Sequence, residues 1–175
     1  MPDFRRLNLA ALAAAFTLLI ACAHKETYEE HQQKELADSL RKAEAGDTQA
    51  MYQVASAYES GSGATQDYAK AMEWYRKAAG KGDGSAMFNI GEMYRQGLGV
   101  PKDMDQTVAW YLKASNAGES IAWYNLGMMY YKGDEIPRND AEAMRWLQKY
   151  AAAITSSSPL YKPTQDAIAD IQARK

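Results

Sequence analysis

Five positions, held by four kinds of residue, recur every 36 residues through the middle of this chain. Glycine recurs at Gly46, Gly82 and Gly118, and alanine at Ala50, Ala86 and Ala122. Tyr58, Tyr94 and Tyr130 keep the same interval, as do Gly61, Gly97 and Gly133, and then Trp74, Trp110 and Trp146. A period of this length marks stacked units, each too small to bury its apolar face alone. The chain must therefore build a linear array in which neighbouring units cover one another.

Each unit reads as two helices. In the first copy Asp47 is a good N-cap, and Ala50, Val54, Ala55 and Tyr58 follow at helical spacing on one face. Gly61-Ser62-Gly63 stops that helix, Asp67 caps the next, and Ala71, Trp74, Tyr75 and Ala78 form the face to be buried. Copy two places Asp83 and Asp103 at the caps. Copy three places Asn139 there, with Glu142 in position to complete a capping box. Composition agrees: alanine occurs 31 times, and valine and isoleucine together 10 times. β-Branched side chains lose rotamer freedom in a helix and alanine does not. The tryptophan and tyrosine rows are expected in the core.

The second copy carries the pattern most fully, in Gly82-Asp83, Ala86, Ile90-Gly91, Tyr94, Gly97-Leu98-Gly99-Val100, Asp103 and Trp110-Tyr111. These residues resemble the Sel1-like repeat family, a relative of the tetratricopeptide repeat. The resemblance implies an all-α fold, a right-handed α-solenoid of antiparallel helix pairs, with repeats at 46–81, 82–117 and 118–154. Copy three departs from the pattern where Asp134-Glu135-Ile136 replaces Leu-Gly-Val, which should bend that loop locally. Residues 28–45 read as an N-terminal capping helix with Leu36, Leu40 and Ala43 as its stripe. Residues 155–175 read as a linker and a C-terminal capping helix opened by Pro163 and Thr164, with Ile168 and Ile171 inward.

The start of the chain reads as an address. Arg5 and Arg6 precede the apolar run Leu7 to Ala21, which is shorter than the roughly 20 residues a membrane-spanning helix needs. It ends in Leu19-Ile20-Ala21-Cys22, which resembles the bacterial lipobox. That resemblance implies a signal peptide over 1–21, cleavage before Cys22, lipidation of Cys22 and a tether over 22–27. With Ala23 rather than aspartate after the cysteine, it implies the outer membrane, facing the periplasm.

Much chemistry is excluded. Cys22 is the only cysteine, so there is no internal disulfide and no zinc site of two or more thiolates. His24 and His31 are the only histidines, and with Glu26 and Glu30 they read as a solvated tether rather than a metal site. The repeats thus lack an imidazole base and a thiol nucleophile. A net charge of -2 gives no general footing for nucleic acid. No catalytic residue, cofactor or metal is expected.

In the related tetratricopeptide fold the first helix of each pair lines the concave groove. By register Tyr52, Phe88 and Tyr124 should lie there, with the amides Gln53, Asn89 and Asn125 beside them. Ser56, Glu92 and Met128 come a turn later, then Glu59, Arg95 and Tyr131. A ring beside an amide suits a peptide, since one supplies area and the other pairs with backbone groups. The expected function is a lipid-anchored scaffold that holds a protein or peptide partner in one continuous groove. The alternatives are a structural subunit of an envelope export or secretion assembly, and a β-lactam-binding or hydrolysing enzyme. The resemblance supports the last poorly, because cysteine-rich relatives of that kind carry a disulfide in every repeat.

Overall fold

The computed structural model describes residues 28–174, and the leader, Cys22 and the tether fall outside them. Helix α1 runs through residues 28–44. Three pairs follow: α2 (Thr48–Ser60) with α3 (Tyr68–Gly80), α4 (Gly84–Gln96) with α5 (Met104–Asn116), and α6 (Ser120–Lys132) with α7 (Asp140–Ala153). Helix α8 (Tyr161–Ala173) packs on α7 and α6. The described residues contain no strand, and no helix long and apolar enough to cross a membrane. The architecture is the all-α solenoid that the period requires.

The caps explain where the helices start. Asp47, Asp67, Asp83 and Asp103 each accept a backbone N–H three residues on, from Ala50, Lys70, Ala86 and Gln106, at 2.7–3.0 Å. A cap of this kind is worth roughly 1 kcal/mol. Glu119 occupies the same register before α6 but makes no side-chain cap bond. Its Oε2 instead accepts from Ser85 Oγ at 2.7 Å, so a local bond is exchanged for one to the preceding repeat. The turns within the pairs are fixed by one recurring bond: the backbone N–H of Asp67, Asp103 and Asn139 donates to the carbonyl of Tyr58, Tyr94 and Tyr130 at 2.8–3.0 Å.

Four expectations need correction. The tryptophan column is not the deepest one: Trp74 and Trp110 are half-buried, and only Trp146 is buried. The fully buried column is the next residue along, Tyr75, Tyr111 and Leu147. The tryptophans lie at its margin, under basic side chains of the second helices. Lys77 Nζ is 3.6 Å from the Trp74 ring centroid and Lys113 Nζ is 3.7 Å from that of Trp110. Lys149 Nζ is 4.3 Å from the Trp123 centroid and 5.5 Å from that of Trp146. The ammonium groups themselves lie over the ring faces, in cation–π contacts at the margin of the core. Second, Tyr58, Tyr94 and Tyr130 are half-buried rather than core. Third, Asn139 caps α7 through Ala141 N and Glu142 N, but Glu142 does not close the box. Its carboxylate accepts from Trp146 Nε1 at 3.0 Å, because the backbone N–H it would have served already bonds Tyr130. Fourth, α8 begins at Tyr161, two residues before Pro163, which then sits in its first turn where its missing N–H is harmless.

Candidate functional site

The first helices α2, α4 and α6 carry the residues that the register singled out, and the structure gives them different fates. Their rings pair with the second helices. Tyr52 tilts against Tyr75 with centroids 5.6 Å apart, and Phe88 stacks on Tyr111 at 5.1 Å. In the third repeat Leu147 replaces the tyrosine, so Tyr124 turns to Tyr150 instead, at 5.3 Å.

The buried phenols need partners, and each finds a carboxylate. Tyr75 OH donates to Glu59 Oε2 at 2.6 Å and accepts from Asn89 Nδ2 at 3.0 Å. Asn89 also reaches Tyr52 OH at 3.2 Å, so it joins two repeats. Tyr111 OH donates to Glu92, which further accepts from Arg95 Nη2 and Gln96 Nε2, both at 2.8 Å. Burial pushes the Tyr75 and Tyr111 phenols well above their usual range, and the adjoining carboxylates add to it. Burial also opposes ionisation of Glu92, but the bonds from Arg95, Tyr111 and Gln96 win and hold its carboxyl below the usual range.

Because that pKa is depressed in the folded chain, Glu92 stabilises the fold fully above its unfolded value, roughly 4.3. The contribution is lost as pH falls through the lower folded value. Glu92→Gln is expected to cost about 1–3 kcal/mol at pH 7, the range for a charged hydrogen-bond acceptor. It should also show a smaller further loss at pH 3 than the wild type. Urea denaturation at the two pH values measures both, and an equal acid loss in the variant would contradict the network.

Among the clefts of the described residues, two lie beside these helices. The larger, about 500 Å³, lies between α1 and α2, where Glu35, Asp38, Ser39, Tyr52, Gln53 and Ser56 face it. The smaller, about 260 Å³, is lined by Arg95, Asn125, Met128, Lys132, Asp134 and Glu135. It sits where copy three departs from the pattern. In the first two repeats a glycine of the loop lies against the preceding unit: Gly63 on the backbone of Gln32, and Gly99 on Tyr68, where an added Cβ would be 2.8 Å from Tyr68 Cβ. Both glycines have positive φ. Glu135 stands in that register and cannot adopt the conformation without strain. The loop takes another course, and Glu135 reaches back to Arg95 Nη1 at 3.5 Å.

The ten candidate partner-binding residues thus do not share one groove. Tyr52 and Gln53 line the first cleft, and Arg95, Asn125 and Met128 the second. Phe88, Glu92 and Tyr124 are engaged inside their helix pairs, and Asn89 between the first two repeats. Tyr131 is tied to the terminal helix, its OH donating to Asp170 Oδ2 at 2.8 Å. The amide column divides in the same way. Asn125 donates to Ile121 O of its own helix at 2.8 Å. Gln53 is exposed, and among the described residues its side chain makes one bond, accepted from Ser39 Oγ at 3.4 Å. The α1 side of the larger cleft was not foreseen, because α1 lies outside the repeat and no period points to its polar face.

The geometry is that of a family of known proteins. The Sel1 repeat model matches residues 48–83, 84–119 and 120–153, more than half of the chain. The chain belongs to the Sel1 repeat family. The matched units begin two residues later than the boundaries drawn from the glycines. Among solved structures, the chain is similar to a protective antigen present in uropathogenic Escherichia coli strains displaying an SLR fold. The identity is 36% and the TM-score 0.64, over 67% of this chain and 25% of that one. It is similar also to a Sel1 repeat protein from Oxalobacter formigenes, with 26% identity and a TM-score of 0.63 over 69% of this chain and 50% of that one. The chain therefore spans a quarter to a half of these relatives. No curated protein matches it. Sel1 repeat proteins generally serve as protein–protein interaction scaffolds and are typically non-catalytic.

Proposed function

We propose that this protein is a lipid-anchored scaffold of the bacterial envelope, held through Cys22 at the outer membrane, that binds a protein partner on its first-helix side. The observation that carries the binding half is the placement of both clefts. Each is lined by a first helix, and together they keep Gln53, Arg95 and Asn125 at the surface while the second helices turn a lysine-covered row outward. The anchor half is supported by Leu19-Ile20-Ala21-Cys22 and by the short basic head before it. One acyl chain holds a protein marginally, and two or more hold it stably.

One experiment in intact cells tests both halves. A photo-crosslinking amino acid is placed at Gln53, at Lys132 or at Leu112 (an exposed position on α5), with and without Cys22→Ser. The expected result is capture of the same protein from Gln53 and Lys132 but not from Leu112, and loss of palmitate labelling with Cys22→Ser. Capture from Leu112 alone would move the interface to the second helices. Undiminished labelling of the serine variant would end the lipoprotein reading.

A further inference from the structure

The larger cleft is acidic along one wall. Its wall on α1 carries Glu35 and Asp38, and among the described residues no lysine, arginine or histidine lines it. Opposite them α2 contributes Gln53 and Ser56, and the floor between is apolar where Leu36 lies buried. The amide nitrogen of Gln53 donates to no group among the described residues. Such a surface offers two carboxylates for a cation, an amide and hydroxyls for a peptide backbone, and a small apolar contact for the stem of a long side chain. Its volume of about 500 Å³ falls within the roughly 300–1,000 Å³ of ordinary ligand sites.

Among the described residues, the two carboxylates pair only with exposed neighbours on their own helix. Glu35 pairs with His31 at 3.2 Å, and Asp38 with Arg41 and with Lys42 at 2.7 Å. None of these three partners lines the cleft. Exposed pairs three or four residues apart on a helix contribute only about 0.2–1 kcal/mol. A ligand cation entering from the cleft side can displace or share them at little expense. Lysine and arginine elsewhere on the first-helix side, at Arg95 and Lys132, belong to the other cleft.

Resting on the scaffold reading above, we infer that the α1–α2 cleft takes a peptide segment that places a lysine or arginine side chain between Glu35 and Asp38. Gln53 pairs with the segment's backbone. The cleft selects the partner by that one cation, and the second cleft extends the contact.

The probe is an array of immobilised random octapeptides, presented to the full chain in detergent. Bound peptides are expected to be enriched in lysine or arginine. Exchanging that residue for alanine in a bound peptide should weaken binding about tenfold, the effect of one charge-assisted hydrogen bond. Glu35→Gln with Asp38→Asn should produce the same loss, and in that variant the lysine-to-alanine exchange should no longer matter. Both residues are on the surface of α1, and helical circular dichroism checks that the fold is kept. Ser56→Trp, which fills the cleft, should abolish binding. If peptides bind and are lost with Ser56→Trp but show no preference for a basic residue, the cationic selectivity is wrong and the scaffold reading stands. If no peptide binds, or binding ignores Ser56→Trp, this cleft is not a docking site. The scaffold reading itself then falls only if crosslinking from Lys132 also captures nothing.

Discussion

Tyr111→Ala should lower the free energy of unfolding by about 3–5 kcal/mol, the range for truncating a buried aromatic. That is a large part of the roughly 5–15 kcal/mol by which a domain is stable. Tyr111 is fully buried, stacks on Phe88 and gives its hydroxyl to Glu92. The substitution opens a cavity between α4 and α5 and leaves a half-buried carboxylate with one donor fewer. Trp110→Ala should cost less, although tryptophan is larger. Trp110 is half-buried, and the Lys113 side chain, whose ammonium lies over its ring, can settle into the space vacated. Urea denaturation followed by helical circular dichroism ranks the two. A larger loss for Trp110→Ala would mean that the buried column is the tryptophan one after all.

That ranking marks how far the sequence could be read. Tryptophan and tyrosine stand side by side at 74–75 and 110–111, and a 36-residue period repeats both equally well. Neighbours on a helix point about 100° apart, so only one can face the centre, and the period does not choose. The helix pairs themselves were legible, because caps and glycine stops are local chemistry and the stacking follows from a unit too small to fold alone. The site was legible in register but not in availability. Gln53, Asn89 and Asn125 share a column, yet Asn89 is taken up by two tyrosine hydroxyls, one of them 37 residues away, and Asn125 folds back on its own helix. Which amide remains free depends on contacts between repeats and on rotamers, and a column of letters contains neither. Asp134-Glu135-Ile136 was visible as an irregularity. That it opens a cleft follows only once Gly63 and Gly99 are seen pressed against the preceding unit.

Gly91→Ala is expected to change sign with its background. Glycine inside a helix is about 1 kcal/mol worse than alanine, so in the middle of α4 the substitution ought to stabilise. A Cβ on Gly91, however, would lie 2.6 Å from Tyr111 Cδ1 and 2.8 Å from Cε1. The ring cannot withdraw, because Phe88 stacks on it and Glu92 holds its hydroxyl. Overpacking of this kind costs about 1–3 kcal/mol, and Gly91→Ala should be destabilising by up to about 2 kcal/mol once the helix gain of about 1 kcal/mol is subtracted. In a Tyr111→Ala chain the obstruction is gone and only the helix gain is left, so the same substitution should be neutral or stabilising. The four proteins form a double-mutant cycle with an expected coupling of about 2 kcal/mol, within the range for residues in contact. The first repeat supplies the counter-argument. Ala55 occupies the register of Gly91, opposite Tyr75, and both are fully buried. A helix pair of this fold can therefore accommodate a methyl group against a tyrosine. If α4 and α5 are free to adopt the spacing of α2 and α3, Gly91→Ala will be harmless with Tyr111 in place and the coupling will vanish. The Glu92 network across the pair argues for the opposite result, a closed spacing that tolerates no side chain at position 91 while Tyr111 remains.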